Sequence, residues 1–173
     1  LAESDARFRD GKTVIDLKKI KFNYPDIPLY CVGDLVDRGN FSLEVVDFVI
    51  EQNISFTPGN HDYMFYYFIK DSSNEIGRAW LYNGYESTIN SYHDRYAAMM
   101  EHLEHIAQAP LFINLKDCFI SHAGISKLYK SKFEKEFKSD IDAMGDLINQ
   151  EKNSEYGILW TRDELLNLGK LQI

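Results

Sequence analysis

Three short apolar segments each lead directly into a glycine-containing polar motif, and this repeated arrangement strongly constrains the fold. Residues 29–32 lead into the motif at 33–39, residues 54–57 into the motif at 58–62, and residues 118–121 into the motif at 121–124. Short apolar runs bounded by turn residues are typical of buried strands. We therefore predict an α/β fold whose strand ends bring the three polar motifs together along one edge of a sheet.

Helical patterns occupy much of the sequence between these strands. Apolar spacing predicts a helix at Leu43–Glu51 with Ser42 as its N-cap and another helix at 97–109, and residues 64–69 are predicted to form a buried helix or a lid element. Residues 111–115 and 118–121 are predicted to pair as strands about a tight turn. Helices outside a mixed sheet account for this order of elements.

Composition excludes several classes of protein. The chain has 27 acidic and 19 basic residues, a net charge of −8, which argues against binding to nucleic-acid backbones. It holds neither an apolar run of roughly 18 to 20 residues that could span a membrane nor a secretion signal. Cys31 and Cys118 are predicted to be buried free thiols in a reducing compartment. We expect a cytoplasmic location, with a secreted effector as the alternative if further residues precede Leu1.

The first motif, residues 33–39, combines two carboxylates with an arginine between glycines. Asp34 and Asp37 could hold a cation, and Arg38 could bind two oxygens of a phosphate. Alone, such a motif is better explained as a salt-bridged surface turn.

The second and third motifs add nitrogen and amide ligands. Asn60 offers a neutral oxygen, and His61 and His122 each offer a ligand or a proton donor. A lone histidine after a strand is more often structural. Three such motifs at three strand ends favour a shared site.

Together these motifs resemble the core motifs of the calcineurin-like metallophosphoesterases. The arginine at position 38 narrows the resemblance to the bacterial and phage-type phosphoprotein phosphatase branch, which also includes diadenosine tetraphosphate hydrolases. Supporting matches are residues 80–84 with Thr88, and residues 159–164. The resemblance covers residues 29–166 and implies a four-layer sandwich of two mixed β-sheets flanked by helices.

The resemblance also implies a role for each matching residue. It implies two divalent ions, manganese first, with iron, zinc or nickel as alternatives, and a bridging water that attacks the phosphate. The implied metal ligands are Asp5, Asp34, Asn60 and His122. The implied catalytic and substrate-binding residues are His61 as general acid, Asp37 as its orienting carboxylate, Arg38 and Arg162 as the phosphate clamps, and Asn60 at the phosphate.

The sequence departs from the family pattern at both ends. Arg7 stands where a metal-binding histidine is expected after Asp5, and arginine cannot ligate a cation. A Gly-His motif is expected after Arg162 and is missing. His102 and His105 do not replace it and are predicted to lie on a solvated helix face. We therefore interpret residues 1–173 as one domain that is incomplete at both ends.

The expected activity is hydrolysis of phosphate monoesters, most readily on phosphoproteins carrying phosphorylated Ser, Thr or Tyr. Tyr63, directly after the second motif, is a candidate substrate contact. A diadenosine tetraphosphate-type hydrolase is one alternative, and a catalytically inactive relative that serves as a binding module is another. The sequence leaves the oligomeric state open.

Overall fold

The computed structural model describes residues 19–20, 22–136 and 140–162. In chain order the elements are β1 Tyr30–Cys31, α1 Ser42–Glu51, β2 Ser55–Phe56, α2 Asn60–Lys70, α3 Glu75–Ala79, α4 Glu86–Ser91, α5 Tyr96–Gln108, β3 Phe112–Leu115, β4 Cys118–Ser121, α6 Lys127–Lys135 and α7 Gly145–Glu151. Two short 3-10 helices, Trp80–Tyr82 and Asp142–Met144, precede α4 and α7. Residues 71–95, where the sequence pattern predicted no helix, thus contain α3, α4 and the first 3-10 helix.

Two small sheets set the positions of the polar motifs. β1 and β2 pair in parallel, with Tyr30 opposite Ser55, and α1 connects them. Because parallel strands end at the same edge, the motifs that follow β1 and β2 lie side by side. β3 and β4 form an antiparallel pair with Ile113 opposite Ile120.

The main core packs α1, α2 and α5 around large buried side chains. Val46, Phe65, Trp80, Leu103 and Ile106 are fully buried there. Apolar residues at helical spacing predicted α1 and α5, and the two helices begin and end within one residue of the predicted bounds. A mixed α/β fold is therefore confirmed, while the four-layer sandwich remains a prediction.

A second apolar cluster joins the start of α2 to the last described part of the chain. Tyr63 packs there with Ile148 of α7 and with Ile158 and Leu159. The backbone N–H of Ala123 donates to the Ile158 carbonyl at 3.0 Å. This cluster therefore holds residues 157–161 against the loop that follows β4.

Three local predictions are wrong. Cys118 is exposed because its side chain points away from the core at the start of β4. His102 is buried, because it shares the core-facing stripe of α5 with Met99, Leu103 and Ile106. Ser42 is the first residue of α1 and not its N-cap. Asp5 and Arg7 lie outside the described residues.

None of the helices in the described part of the chain combines the length and the apolar character needed to cross a bilayer.

Candidate active site

The loops after β1 and β2 touch each other at two glycines. A Cβ atom on Gly33 would lie 2.1 Å from the backbone nitrogen of Gly59, and one on Gly59 would lie 2.1 Å from Asp34 Oδ1. Gly33 also has a φ of +83°, a conformation that glycine adopts without strain. Glycine at both positions thus allows the first two motifs to come into contact.

Three other residues of the first motif also have positive φ angles. Asp34, Asp37 and Arg38 have φ values of 52°, 72° and 60°. Non-glycine residues are uncommon in this region, and each one costs of the order of 1 kcal/mol or more. Each of the three backbone N–H groups is held by a hydrogen bond: that of Asp34 donates to Asp62, that of Asp37 to the Thr88 hydroxyl and that of Arg38 to the Gly84 carbonyl.

The buried side chain of Asp62 joins the two loops through hydrogen bonds. Its carboxylate accepts the backbone N–H of Gly59 at 2.7 Å, of Asp34 at 2.8 Å and of Leu35 at 2.9 Å. Complete burial and the nearby Asp34 charge raise the pKa of Asp62 to about 7, against the opposing effect of these three donors. Asp62 had no assigned role in the sequence analysis, although it belongs to the second motif.

The three predicted metal ligands that the structure describes lie together. His122 Nε2 is 3.1 Å from Asn60 Oδ1 and 3.7 Å from Asp34 Oδ1. His122 Nδ1 is 2.6 Å from the Val32 carbonyl, which can only accept, so Nδ1 carries the proton.

Because the proton is on Nδ1 of His122, its Nε2 atom is free to bind a cation between His122, Asn60 and Asp34. In a neutral His122 the lone pair on Nε2 faces the oxygens of Asn60 and Asp34, and three acceptors that face one another are relieved by a cation. A ligand histidine whose other nitrogen donates to a carbonyl is the usual arrangement in metal sites. Within residues 19–20, 22–136 and 140–162, no group of three His, Cys, Asp or Glu side chains is placed so that it could hold a metal ion. The described donor set therefore fits a cation but depends on the Asn60 amide.

Beside these ligands, His61 and Asp37 form a buried pair. His61 Nδ1 lies 2.6 Å from Asp37 Oδ2, and both side chains are almost completely buried. Burial alone would lower the pKa of His61, but the hydrogen bond to Asp37 and the charges of Asp34 and Asp37 outweigh it, so the pKa is raised.

Arg38 faces the other nitrogen of His61. Its Nη2 atom lies 3.1 Å from His61 Nε2, and the rest of Arg38 is exposed beside Gly84. An exposed guanidinium beside a buried His–Asp pair can bind an anionic oxygen that arrives from solvent.

Asp37 also contacts two residues to which the sequence reasoning gave no role. Trp80 Nε1 lies 2.9 Å from Asp37 Oδ1 and 2.8 Å from Oδ2, and the Thr88 hydroxyl donates to Oδ1 at 2.6 Å. Both residues occur in the segment that supported the family resemblance, which is the one signal that could have indicated them.

In the part of the chain that the structure describes, no hydrogen bond or ion pair joins Arg162 or Tyr63 to this group. Arg162 is exposed and donates to the carbonyls of Trp160 and Thr161. Tyr63 is 7% exposed, and its ring packs against Tyr66 and Tyr67. This burial leaves Tyr63 little surface for a substrate, so we omit it from the proposed contacts.

The site residues that lie together belong to a region of the chain that matches a known protein family. The sequence profile of the family described as calcineurin-like phosphoesterase matches residues 10–168. The chain belongs to the calcineurin-like phosphoesterase family. The predicted family is thereby confirmed, and the matched region includes all the site residues that the structure describes.

Two curated relatives extend the comparison. Bis(5'-nucleosyl)-tetraphosphatase PrpE (asymmetrical) of Bacillus cereus strain Q1 is 27% identical over 145 residues, which cover 72% of this chain and 56% of the relative. The protein of the same name from strain ATCC 10987 gives the same values. The chain thus spans little more than half the length of these relatives. No solved structure matches it.

Proposed function

We propose that this calcineurin-like phosphoesterase site catalyses the metal-dependent hydrolysis of phosphate esters by water. The observation that carries the proposal is one continuous group of side chains. The acceptors of Asp34, Asn60 and His122 lie beside the His61–Asp37 pair, and the His61 backbone N–H donates to Asp34 Oδ1 at 3.2 Å. Groups able to hold a cation, an anion and a transferable proton therefore lie within one hydrogen-bonded cluster.

Asp34, Asn60 and His122 would hold a divalent cation, and we propose Asp5 as a further ligand and manganese as the first metal to test. Two bound ions would supply Lewis-acid activation of water and would neutralise phosphate charge. Oxygen ligands with one imidazole suit such ions.

The chain's own side chains divide the remaining work. Arg38 binds oxygens of the phosphoryl group, and Arg162 is proposed as its partner. His61 donates a proton from Nε2 to the leaving oxygen, while Asp37 accepts the Nδ1 proton and holds the ring in place. The raised pKa of His61 favours the protonated form that this step requires.

Two substrate classes fit this chemistry. Phosphate monoesters, including phosphoproteins, require only the clamp and the proton donor described above. Dinucleoside polyphosphates are the second candidate, because both curated relatives are named as bis(5'-nucleosyl)-tetraphosphatases.

The first experiment is hydrolysis of p-nitrophenyl phosphate by the full chain with added manganese. We expect activity in the unmodified chain, a loss of at least about 100-fold in Asp34→Asn, and little change in the surface control Asp94→Asn. Absence of hydrolysis, with Asp34→Asn behaving in the same way, would instead support the non-catalytic binding module.

Competition then separates the substrate classes. A phosphopeptide and diadenosine tetraphosphate are each added to the p-nitrophenyl phosphate assay. The class that inhibits at the lower concentration, and is itself converted to product, is the better substrate.

A further inference from the structure

We propose that Thr88 and Trp80 are positioning residues that hold Asp37, and through it His61, in the geometry needed for proton donation. This inference rests on the proposed phosphoesterase function. Among the described residues, the side-chain hydrogen bonds of Thr88 and Trp80 go to Asp37 and Ser42 and not to the proposed metal ligands or to Arg38, so we expect their effect on the reaction to pass through Asp37.

The hydrogen bonds around Asp37 account for both of its carboxylate oxygens. Oδ1 accepts hydrogen bonds from Thr88 and Trp80, and Oδ2 accepts hydrogen bonds from Trp80 and His61. The donors reach Asp37 from sequence distances of 24, 43 and 51 residues. Asp37 is 8% exposed, so water has little access to replace a missing donor.

The Thr88 hydroxyl bonds both the side-chain carboxylate and the backbone N–H of Asp37. As a carboxylate, Asp37 can only accept, so the Thr88 O–H donates to it. The same oxygen accepts the Asp37 backbone N–H at 2.8 Å and lies 3.2 Å from Ser42 Oγ, the first residue of α1. One hydroxyl therefore fixes both the left-handed backbone of Asp37 and the rotamer of its side chain.

The Trp80 indole is held by its packing. Trp80 is fully buried, and its ring lies 5.0 Å from that of Phe65, 5.5 Å from that of Phe68 and 5.6 Å from that of Tyr85, measured between centroids. A side chain packed on several sides has one available rotamer. Its N–H therefore has a fixed direction toward Asp37.

These constraints determine which nitrogen of His61 carries a proton in the neutral ring. With both Asp37 oxygens acting as acceptors, the proton lies on Nδ1, and Nε2 faces the Arg38 side of the site at 3.1 Å from Nη2. Removing a donor frees the carboxylate to rotate, and the imidazole then loses its fixed orientation.

The first test measures this orientation without relying on activity. Nitrogen-15 NMR of the histidine rings reports whether neutral His61 is protonated at Nδ1. We expect the unmodified chain and Thr88→Ser to show the Nδ1-protonated form, and Thr88→Val and Trp80→Phe to show a mixture of tautomers. Thr57→Val is the matched control, because Thr57 is also fully buried but its hydroxyl has no hydrogen-bond partner among the described residues.

The second test uses the leaving group. Loss of a positioned acid affects poor leaving groups most, so Thr88→Val should lower kcat about tenfold or more for phenyl phosphate and less than about threefold for dinitrophenyl phosphate. Thr88→Ser should restore the activity on phenyl phosphate. If Thr88→Val does not fold, Trp80→Phe carries the same test.

Two results would overturn the positioning role. One is an unchanged tautomer in both Thr88→Val and Trp80→Phe, and the other is an equal loss on both phosphates that serine does not rescue. If instead the unmodified chain hydrolyses neither phosphate, the proposed function fails, and the NMR measurement still decides whether Thr88 and Trp80 position His61.

Discussion

The Asp62 carboxylate accepts the backbone N–H of Asp34 at 2.8 Å, so a residue of the second motif supports the first. Asp62 lies in the first turn of α2 and bonds the N–H of Gly59 as well. The loop after β1, the loop after β2 and the start of α2 therefore form one hydrogen-bonded unit.

Asp62→Asn should destabilise the fold by about 2 kcal/mol or more, because the amide nitrogen would face buried N–H donors and leave at least one without an acceptor. Urea denaturation measures the change. Asp94→Asn is the control, since Asp94 is exposed and its ion pair among the described residues is with His93, which is also exposed. Equal unfolding midpoints for the two variants would contradict this account.

Gly59→Ala should destabilise by about 1–3 kcal/mol through steric overlap with Asp34. The φ of Gly59 is −94°, which alanine adopts readily, so the effect isolates the contact. Gly145→Ala is the matched control, because a Cβ atom there meets nothing within 4 Å. That variant should be neutral or slightly stabilising, and a Gly59→Ala chain as stable as Gly145→Ala would refute the close contact between the loops.

Manganese should raise the Tm of the unmodified chain, since an ion that binds only the folded state stabilises it by mass action. His122→Ala should reduce this increase strongly, because it removes the nitrogen that faces Asn60 and Asp34. His93→Ala, at an exposed histidine, should keep the full increase. Chelation with EDTA should return the unmodified chain to its original Tm, and an equal response in both variants would speak against His122 as a ligand.

The stability of the chain should fall below pH 6.5 in a way that depends on His102. Burial lowers the pKa of His102, and the opposing effect of Asp47 does not cancel it. The unfolded state therefore takes up this proton first, at a pKa of about 6.5. The His102 contribution is fully present above that pH and is lost as the pH falls toward the lower folded-state pKa.

His102→Gln tests this linkage. Its free energy of unfolding, measured from pH 7.5 down to 5.5, should decline less steeply than that of the unmodified chain. Parallel pH dependences for the two proteins would show that His102 does not titrate in this window.

Iodoacetamide should modify Cys118 before Cys31. Cys118 is exposed, whereas burial, together with the nearby Asp62 charge, raises the pKa of the Cys31 thiol and reduces its thiolate fraction. Mass spectrometry of the native protein follows the order of labelling. Cys118→Ser should remove the fast phase, and a fast phase that persists would place reactive sulfur at Cys31.

The sequence was most informative where local pattern and topology agree. Strand-end motifs predicted that Asp34, Asn60 and His122 would meet, and they do. β1 and β2 are parallel, and the His122 imidazole donates to the carbonyl of Val32, the residue that follows β1. The His61–Asp37 pair, implied by the family resemblance, is also present.

Long-range contacts were beyond prediction from local pattern. Thr88 lies 51 residues from Asp37 and reaches it through the packing of α4 on α1, where the Leu43 backbone N–H donates to Ser91. The burial of His102 depends on acceptors and donors from two other parts of the chain, Asp47 and Tyr92. Such partners become visible only when tertiary structure brings them together.

The crowded surroundings of Asp37 also matter for engineering. Asn83 and Gly84 lie between Trp80 and Thr88 at the rim beside Arg38, so exchanging this loop is the obvious way to vary the surface next to the proposed phosphate clamp. A transplanted loop that altered the spacing between Trp80 and Thr88 would misplace both donors together. Library design at this rim is therefore best confined to residues 81–87, with the two flanking anchors and the length between them left unchanged.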